Sequence, residues 1–95
     1  MENYEELALS HKISMMAFID DNCSSCIKLD PIIKELKDLG MPIYKINIPR
    51  NLDLVERYSV DEIPTVVVFK NGRILDHISG LHQKDEYLKF TCYFT

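Results

Sequence analysis

The sequence predicts a mixed α/β fold, one sheet flanked by helices. Three observations carry that prediction. Ile13 to Ile19 is apolar almost throughout, with no alternation, as in a strand covered on both faces. Helix-like and strand-like segments alternate through the first half of the chain, which requires parallel pairing with right-handed crossovers. Asn71-Gly72 then joins two strand-like runs and marks a tight hairpin that adds antiparallel strands to the same sheet.

Each element has its own signal. Tyr4, Leu7 and Ala8 stand at helical spacing, so Tyr4 to Ser10 reads as a short amphipathic helix leading into the central strand, Ile13 to Ile19. After the acidic turn Asp20 to Asn22, Cys26, Leu29, Ile33 and Leu36 recur every three or four residues, while Lys28, Asp30, Lys34, Lys37 and Asp38 fall mostly elsewhere. This is the main helix. Gly40 can take the left-handed conformation past its last turn, Pro42 cannot continue it, and Pro31 inside it is expected to kink it. Ile43 to Ile48 alternates, with Tyr44, Ile46 and Ile48 on one face and Lys45 and Asn47 on the other, which suits a strand near the sheet edge. A short helix follows over Leu52 to Tyr58. Thr65 to Lys70 and Arg73 to Ser79 form the hairpin, and a last helix over Gln83 to Phe90 turns Tyr87, Leu88 and Phe90 toward the sheet. There is no internal repeat and no linker.

The 95 residues suffice for one domain with one core and are too few for two, so a single domain over residues 1–95 is expected. The formal charge of -4 and the acidic start at Glu2, Glu5 and Glu6 lack the clustered Lys and Arg that binding a phosphate backbone requires, so no nucleic-acid partner is expected. The same acidic start does not resemble a secretory leader, and Ile13 to Ile19 is too short to span a bilayer. No membrane association and a cytoplasmic location are the expectation. Three cysteines make an odd number, unlike the even disulfide framework of a small secreted domain, and in a reducing compartment cysteines are kept for chemistry or metal.

Attention falls on Cys23-Ser24-Ser25-Cys26. Two cysteines three apart in the first turn of a helix have α-carbons roughly 5 Å apart, within disulfide reach. So small a loop gains only roughly 2 kcal/mol from cross-linking in the chain-entropy model, which makes redox cycling a better use of the pair than a structural staple. The helix start supplies unpaired N–H groups and a positive dipole end that favour a thiolate at Cys23, whereas Cys26, one turn in and on the apolar face, should be less accessible. Half a zinc site and two inert core cysteines are the competing readings. The remaining candidate ligands, Cys92, His11, His77 and His82, form no second closely spaced pair, so no metal is expected. Cys92, beside Tyr93 and Phe94, reads as a half-buried apolar residue.

Over nearly its whole length the sequence resembles the thioredoxin family. Beyond the cysteines, Pro31 falls where the family kinks its active-site helix, Ile63-Pro64-Thr65 looks like the cis-proline tripeptide, Lys45 stands where a lysine is usual, and Asn71-Gly72 and Gly80 match the hairpin turn and final glycine. The resemblance implies that the backbone at Ile63 and Pro64 faces the cysteine pair and binds an extended substrate segment, with Lys45 giving electrostatic support. It also implies a sheet trimmed to four strands, with one edge more exposed.

The sequence departs from the family pattern at the site. Asn22 precedes the first cysteine where the family has tryptophan, and Ser24-Ser25 replaces Gly-Pro. Ala17 stands where a buried aspartate helps deprotonate the resolving thiol, so the usual carboxylate partner of Lys45 is missing. Asp20 and Asp21 read as turn and helix-entry residues whose charge opposes thiolate formation and partly offsets the helix dipole. The expected activity is reduction of protein disulfides through Cys23 and Cys26, with no bound cofactor and a thioredoxin-reductase-like electron donor. The alternatives are a glutaredoxin-like, glutathione-dependent redox protein and a non-catalytic binding module on the same fold.

Overall fold

The computed structural model describes residues 4–94. The elements run α1 (Tyr4–Leu9), β1 (Ile13–Ile19), α2 (Ser24–Asp38), β2 (Ile43–Asn47), α3 (Leu52–Arg57), β3 (Thr65–Lys70), β4 (Arg73–Ser79) and α4 (Lys84–Leu88). Short 3-10 turns follow β2 over Ile48–Arg50 and α4 over Lys89–Phe94. The strands form one sheet in the order β2-β1-β3-β4. β1 pairs parallel with β2 and antiparallel with β3, and β3 pairs antiparallel with β4. The expected four-stranded mixed sheet is therefore present, with β1 inside it and β2 at one edge.

The unbroken apolar run of β1 serves two cores. Ile13, Met15 and Ala17 join Leu29, Ile33 and Leu36 of α2 and Tyr87 and Phe90 near the C-terminus on one face. Met16 and Phe18 join Ala8, Ile46, Leu54, Tyr58, Val67 and Phe69 on the other. Alternation along the strand is real, but both sides are apolar because both faces are covered. Buried Ser14 is satisfied by donating to the Ala8 carbonyl at 2.6 Å, which ties α1 to β1.

Termini of the elements follow local chemistry. α2 ends in a Schellman arrangement: Gly40, at φ 102°, donates to the Lys37 carbonyl at 2.9 Å, and Met41 donates to the Leu36 carbonyl at 3.0 Å. Asn71 and Gly72 both have positive φ, 52° and 80°, as a two-residue hairpin of this kind requires. α2 runs unbroken through Pro31, which has no N–H to give the Ile27 carbonyl one turn earlier.

Two helices differ from expectation. Only Ala8 of α1 is buried, while Tyr4 and Leu7 are exposed. The helix is held instead by Glu5, which accepts hydrogen bonds from Arg57 and from the Tyr58 hydroxyl of the α3 region. Burial would raise the Glu5 carboxyl, but these two bonds and the nearby guanidinium outweigh it and hold the pKa below the usual value. The Tyr58 phenol is pushed up to about 12, first by burial and then by its bond to Glu5. The last helix is shorter than Gln83 to Phe90: α4 stops at Leu88 and continues as a 3-10 turn. Thr91 contributes by donating its hydroxyl to the Leu88 carbonyl at 2.7 Å, a local bond that competes with a regular helical ladder. Tyr87 and Phe90 still reach the core.

Candidate active site

Cys23 is the N-cap of α2. Its backbone is extended, at φ -115° and ψ 111°, and its carbonyl accepts from the Ile27 amide at 3.2 Å to start the helical ladder. Its sulfur accepts from the Cys26 amide at 3.1 Å, taking the place that a serine or aspartate oxygen fills in an ordinary cap. Cys23 and Cys26 are joined by a disulfide with α-carbons 5.2 Å apart. Cys23 is 9% exposed and Cys26 4%, so the first cysteine is the more exposed residue.

Sheet register carries the loop before β3 to the same end of the sheet as the start of α2. Phe18 pairs with Thr65, which sets Ile63-Pro64 beside the end of β1, where the chain turns through Asp20 to Asn22 into Cys23. The Ile63–Pro64 peptide is cis. Pro64 is buried and its carbonyl accepts from the Gly80 amide at 2.8 Å, while the Glu62 carbonyl accepts from the Thr65 hydroxyl. Ile63 is 39% exposed, and among the described residues no hydrogen bond engages its backbone. The Ile63 N–H and carbonyl are thus without a hydrogen-bond partner among the described residues, in the bend just before β3.

Lys45 lies one strand away, paired in register with buried Ala17. It does have a carboxylate partner: its ammonium is 2.9 Å from Asp30 of α2. Sequence reasoning had placed Asp30 only among the polar residues of that helix. The signal that could have found it is spacing, since Asp30 stands one turn after Cys26 on α2. Both side chains are about half exposed, so this pair is worth at most about 1 kcal/mol. Cys92 is exposed in the C-terminal 3-10 turn rather than half-buried, because Phe90 occupies the core position and turns the cysteine outward. Among the described residues no group of three or more His, Cys, Asp or Glu side chains is placed to hold a metal ion, and no helix is long and apolar enough to cross a membrane.

A bridged pair of cysteines at the cap of a helix defines a dithiol-disulfide site of the kind that exchanges electrons with other disulfides. The thioredoxin family model matches residues 1–91. A thioredoxin of Rickettsia bellii is 37% identical over 93 residues, covering 94% of this chain and 89% of that protein. A thioredoxin of Chlamydia caviae is 29% identical over 90 residues, covering 93% and 87%. Among solved structures, a mutant thioredoxin from Halobacterium salinarum superposes with a TM-score of 0.88 at 24% identity, covering 96% of this chain and 82% of that one. That likeness shows the shared fold. The chain belongs to the thioredoxin family, and with its bridged Cys23 and Cys26 it is a thiol-disulfide oxidoreductase.

Proposed function

We propose that the protein reduces disulfides of other proteins in the cytoplasm, with Cys23 as nucleophile and Cys26 as resolving thiol. The observation that carries this reading is the cap geometry: the sulfur of the more exposed cysteine receives a backbone N–H at a helix start, where a thiolate is favoured. The Cys23 thiolate attacks one substrate sulfur, a mixed disulfide forms, and the other substrate sulfur leaves as a thiolate that takes a proton. Cys26, deprotonated, then attacks the Cys23 sulfur and releases the second substrate thiol. The substrate gains two electrons and two protons, and the protein is left with its Cys23–Cys26 disulfide. A thioredoxin-reductase-like donor returns the two electrons.

Ile63 and Pro64 bind the substrate chain, because the unengaged backbone of Ile63 can pair with an extended segment while buried Pro64 holds its place through Gly80. Lys45 supports the thiolates electrostatically from the neighbouring strand, its charge shared with Asp30. The test couples mass spectrometry to turnover. Across a series of thiol-disulfide buffers, Cys23 and Cys26 should interconvert between bridged and free forms, and the reduced protein should open the disulfides of an oxidised protein substrate stoichiometrically. A pair that stays in one state over the physiological range, or a reduced protein that leaves the substrate bridged, contradicts the reading and leaves a binding module.

A further inference from the structure

β2 is an edge of the sheet, and among the described residues no hydrogen bond engages the Ile43 and Lys45 backbone on its outward side. The Met15 amide donates to the Pro42 carbonyl at 2.9 Å, which fixes residue 42, and hence Tyr44 and Ile46, as facing β1. In a parallel ladder alternate residues turn N–H and carbonyl to opposite sides, so Ile43 and Lys45 present theirs away from the sheet. At the far end the Asn47 carbonyl is closed off by the Asn51 side-chain amide, 2.8 Å away. A short strip of unpaired backbone is left, long enough for one brief strand.

The two flanks of this strip differ in chemistry. On the α2 side lies a cleft of about 600 Å³ with Ile27, Pro31 and Ile33 as its apolar wall and Lys34, Lys37 and Lys45 around it. Asp30 is the one carboxylate lining it, and it is engaged by Lys45. Neither Lys34 nor Lys37 has an ion pair among the described residues, although the protein as a whole is acidic at -4. On the opposite side Tyr44 stacks between Tyr4 and His11, with centroid separations of 5.7 and 6.1 Å, and Tyr4 is exposed. A strand added to β2 would send alternate side chains to these two flanks.

We propose that the open edge of β2 docks an extended segment of a partner protein, with carboxylates at every second position facing Lys34, Lys37 and Lys45 and apolar side chains against Tyr44. Main-chain bonds to Ile43 and Lys45 supply the pairing, and the charge pattern supplies selectivity. A second copy of this chain, paired two-fold and antiparallel about Lys45, would set like charges opposite one another. The strip is on the β2 side of β1 and Ile63 on the β3 side, so a docked segment leaves the backbone at Ile63 open. The proposal stands independently of the redox reading.

The probe is a capped peptide of about six residues alternating Glu and Val, with a Lys and Val counterpart as control. Both are titrated into the ¹⁵N-labelled protein and followed by amide shifts. The expected result is saturable shifts centred on Ile43 to Asn47 for the acidic peptide, slower exchange of the Ile43 and Lys45 amides, and no saturation with the basic one. The Lys34→Glu/Lys37→Glu variant, both positions exposed on α2, should keep its circular dichroism and bind the acidic peptide about tenfold more weakly. Equal binding of both peptides, shifts confined to the Ile63 end, no binding, or unchanged affinity in the double variant would each overturn the proposal. Concentration-dependent shifts at β2 without peptide would overturn it in favour of self-association.

Discussion

The first turn of α2 and the C-terminal 3-10 turn each carry cysteine, and their settings are opposite. Cys92 is exposed, yet it stands alone, with no second thiol. Cys23 is nearly buried, yet its sulfur caps a fifteen-residue helix, receives the Cys26 amide and is bridged to Cys26. Exposure therefore does not make a redox centre. What separates the two regions is a backbone donor at a helix start, the setting that favours a thiolate, and a second cysteine within bonding distance.

The largest effect is expected from removing the proposed nucleophile. Cys23→Ser should lower disulfide reductase turnover by on the order of 10³-fold or more while the fold persists, because serine can still cap α2 through its hydroxyl. A coupled turnover assay with circular dichroism as the folding control checks both parts. The next largest effect concerns the resolving step. Ala17 is fully buried on the α2 face and in register with Lys45, so Ala17→Asp introduces a carboxylate at a place without one. If deprotonating Cys26 limits resolution, turnover near neutral pH should rise by up to about tenfold, with a stability cost of about 3 kcal/mol unless the new group pairs with Lys45. Unchanged or slower turnover in the folded variant would count against a deprotonation limit.

A smaller effect separates stability from redox chemistry. The depressed Glu5 pKa contributes stability that is fully present above the unfolded carboxylate value and is lost as pH falls through the folded one. The raised Tyr58 pKa contributes stability present below about pH 10 and lost as pH rises toward 12. Glu5→Gln should cost about 1 kcal/mol at neutral pH and flatten the acid side of the denaturation profile, with reductase turnover unaltered. Urea midpoints at several pH values measure it. Smallest of all, Cys92→Ser should change neither turnover nor, beyond about 0.5 kcal/mol, stability; loss of activity at wild-type stability would mean the thiols are misassigned.

Much of this architecture was legible in the sequence because each signal had a strong local cause. The bounds of β1, β3 and β4 follow from apolar runs and from Asn71-Gly72, and the end of α2 follows from Gly40. The cysteine pair was legible from spacing alone, and the cis bond before Pro64 from resemblance. What was not legible depended on three-dimensional neighbours. Leu7 stands at a core-like spacing on α1 but is exposed, since a helix of six residues makes only one buried contact point, Ala8. Asp30 is an ordinary polar helix position until β2 carries Lys45 up to it. Cys92 looked half-buried among aromatic residues, but the change from α4 to a 3-10 turn alters which side chains face inward.

The difference between the two thiols of the pair is most directly tested by trapping. Each single variant, Cys23→Ser and Cys26→Ser, is incubated with a disulfide-bonded protein, resolved by non-reducing electrophoresis, and its adducts are mapped by mass spectrometry. With Cys26→Ser, attack proceeds and release is slowed, so mixed disulfides through Cys23 should accumulate. With Cys23→Ser, no adduct through Cys26 should form, because Cys26 is the more buried residue, inside the first turn of α2. Equal trapping by both variants, or by neither, would contradict the assignment of nucleophile and resolving thiol.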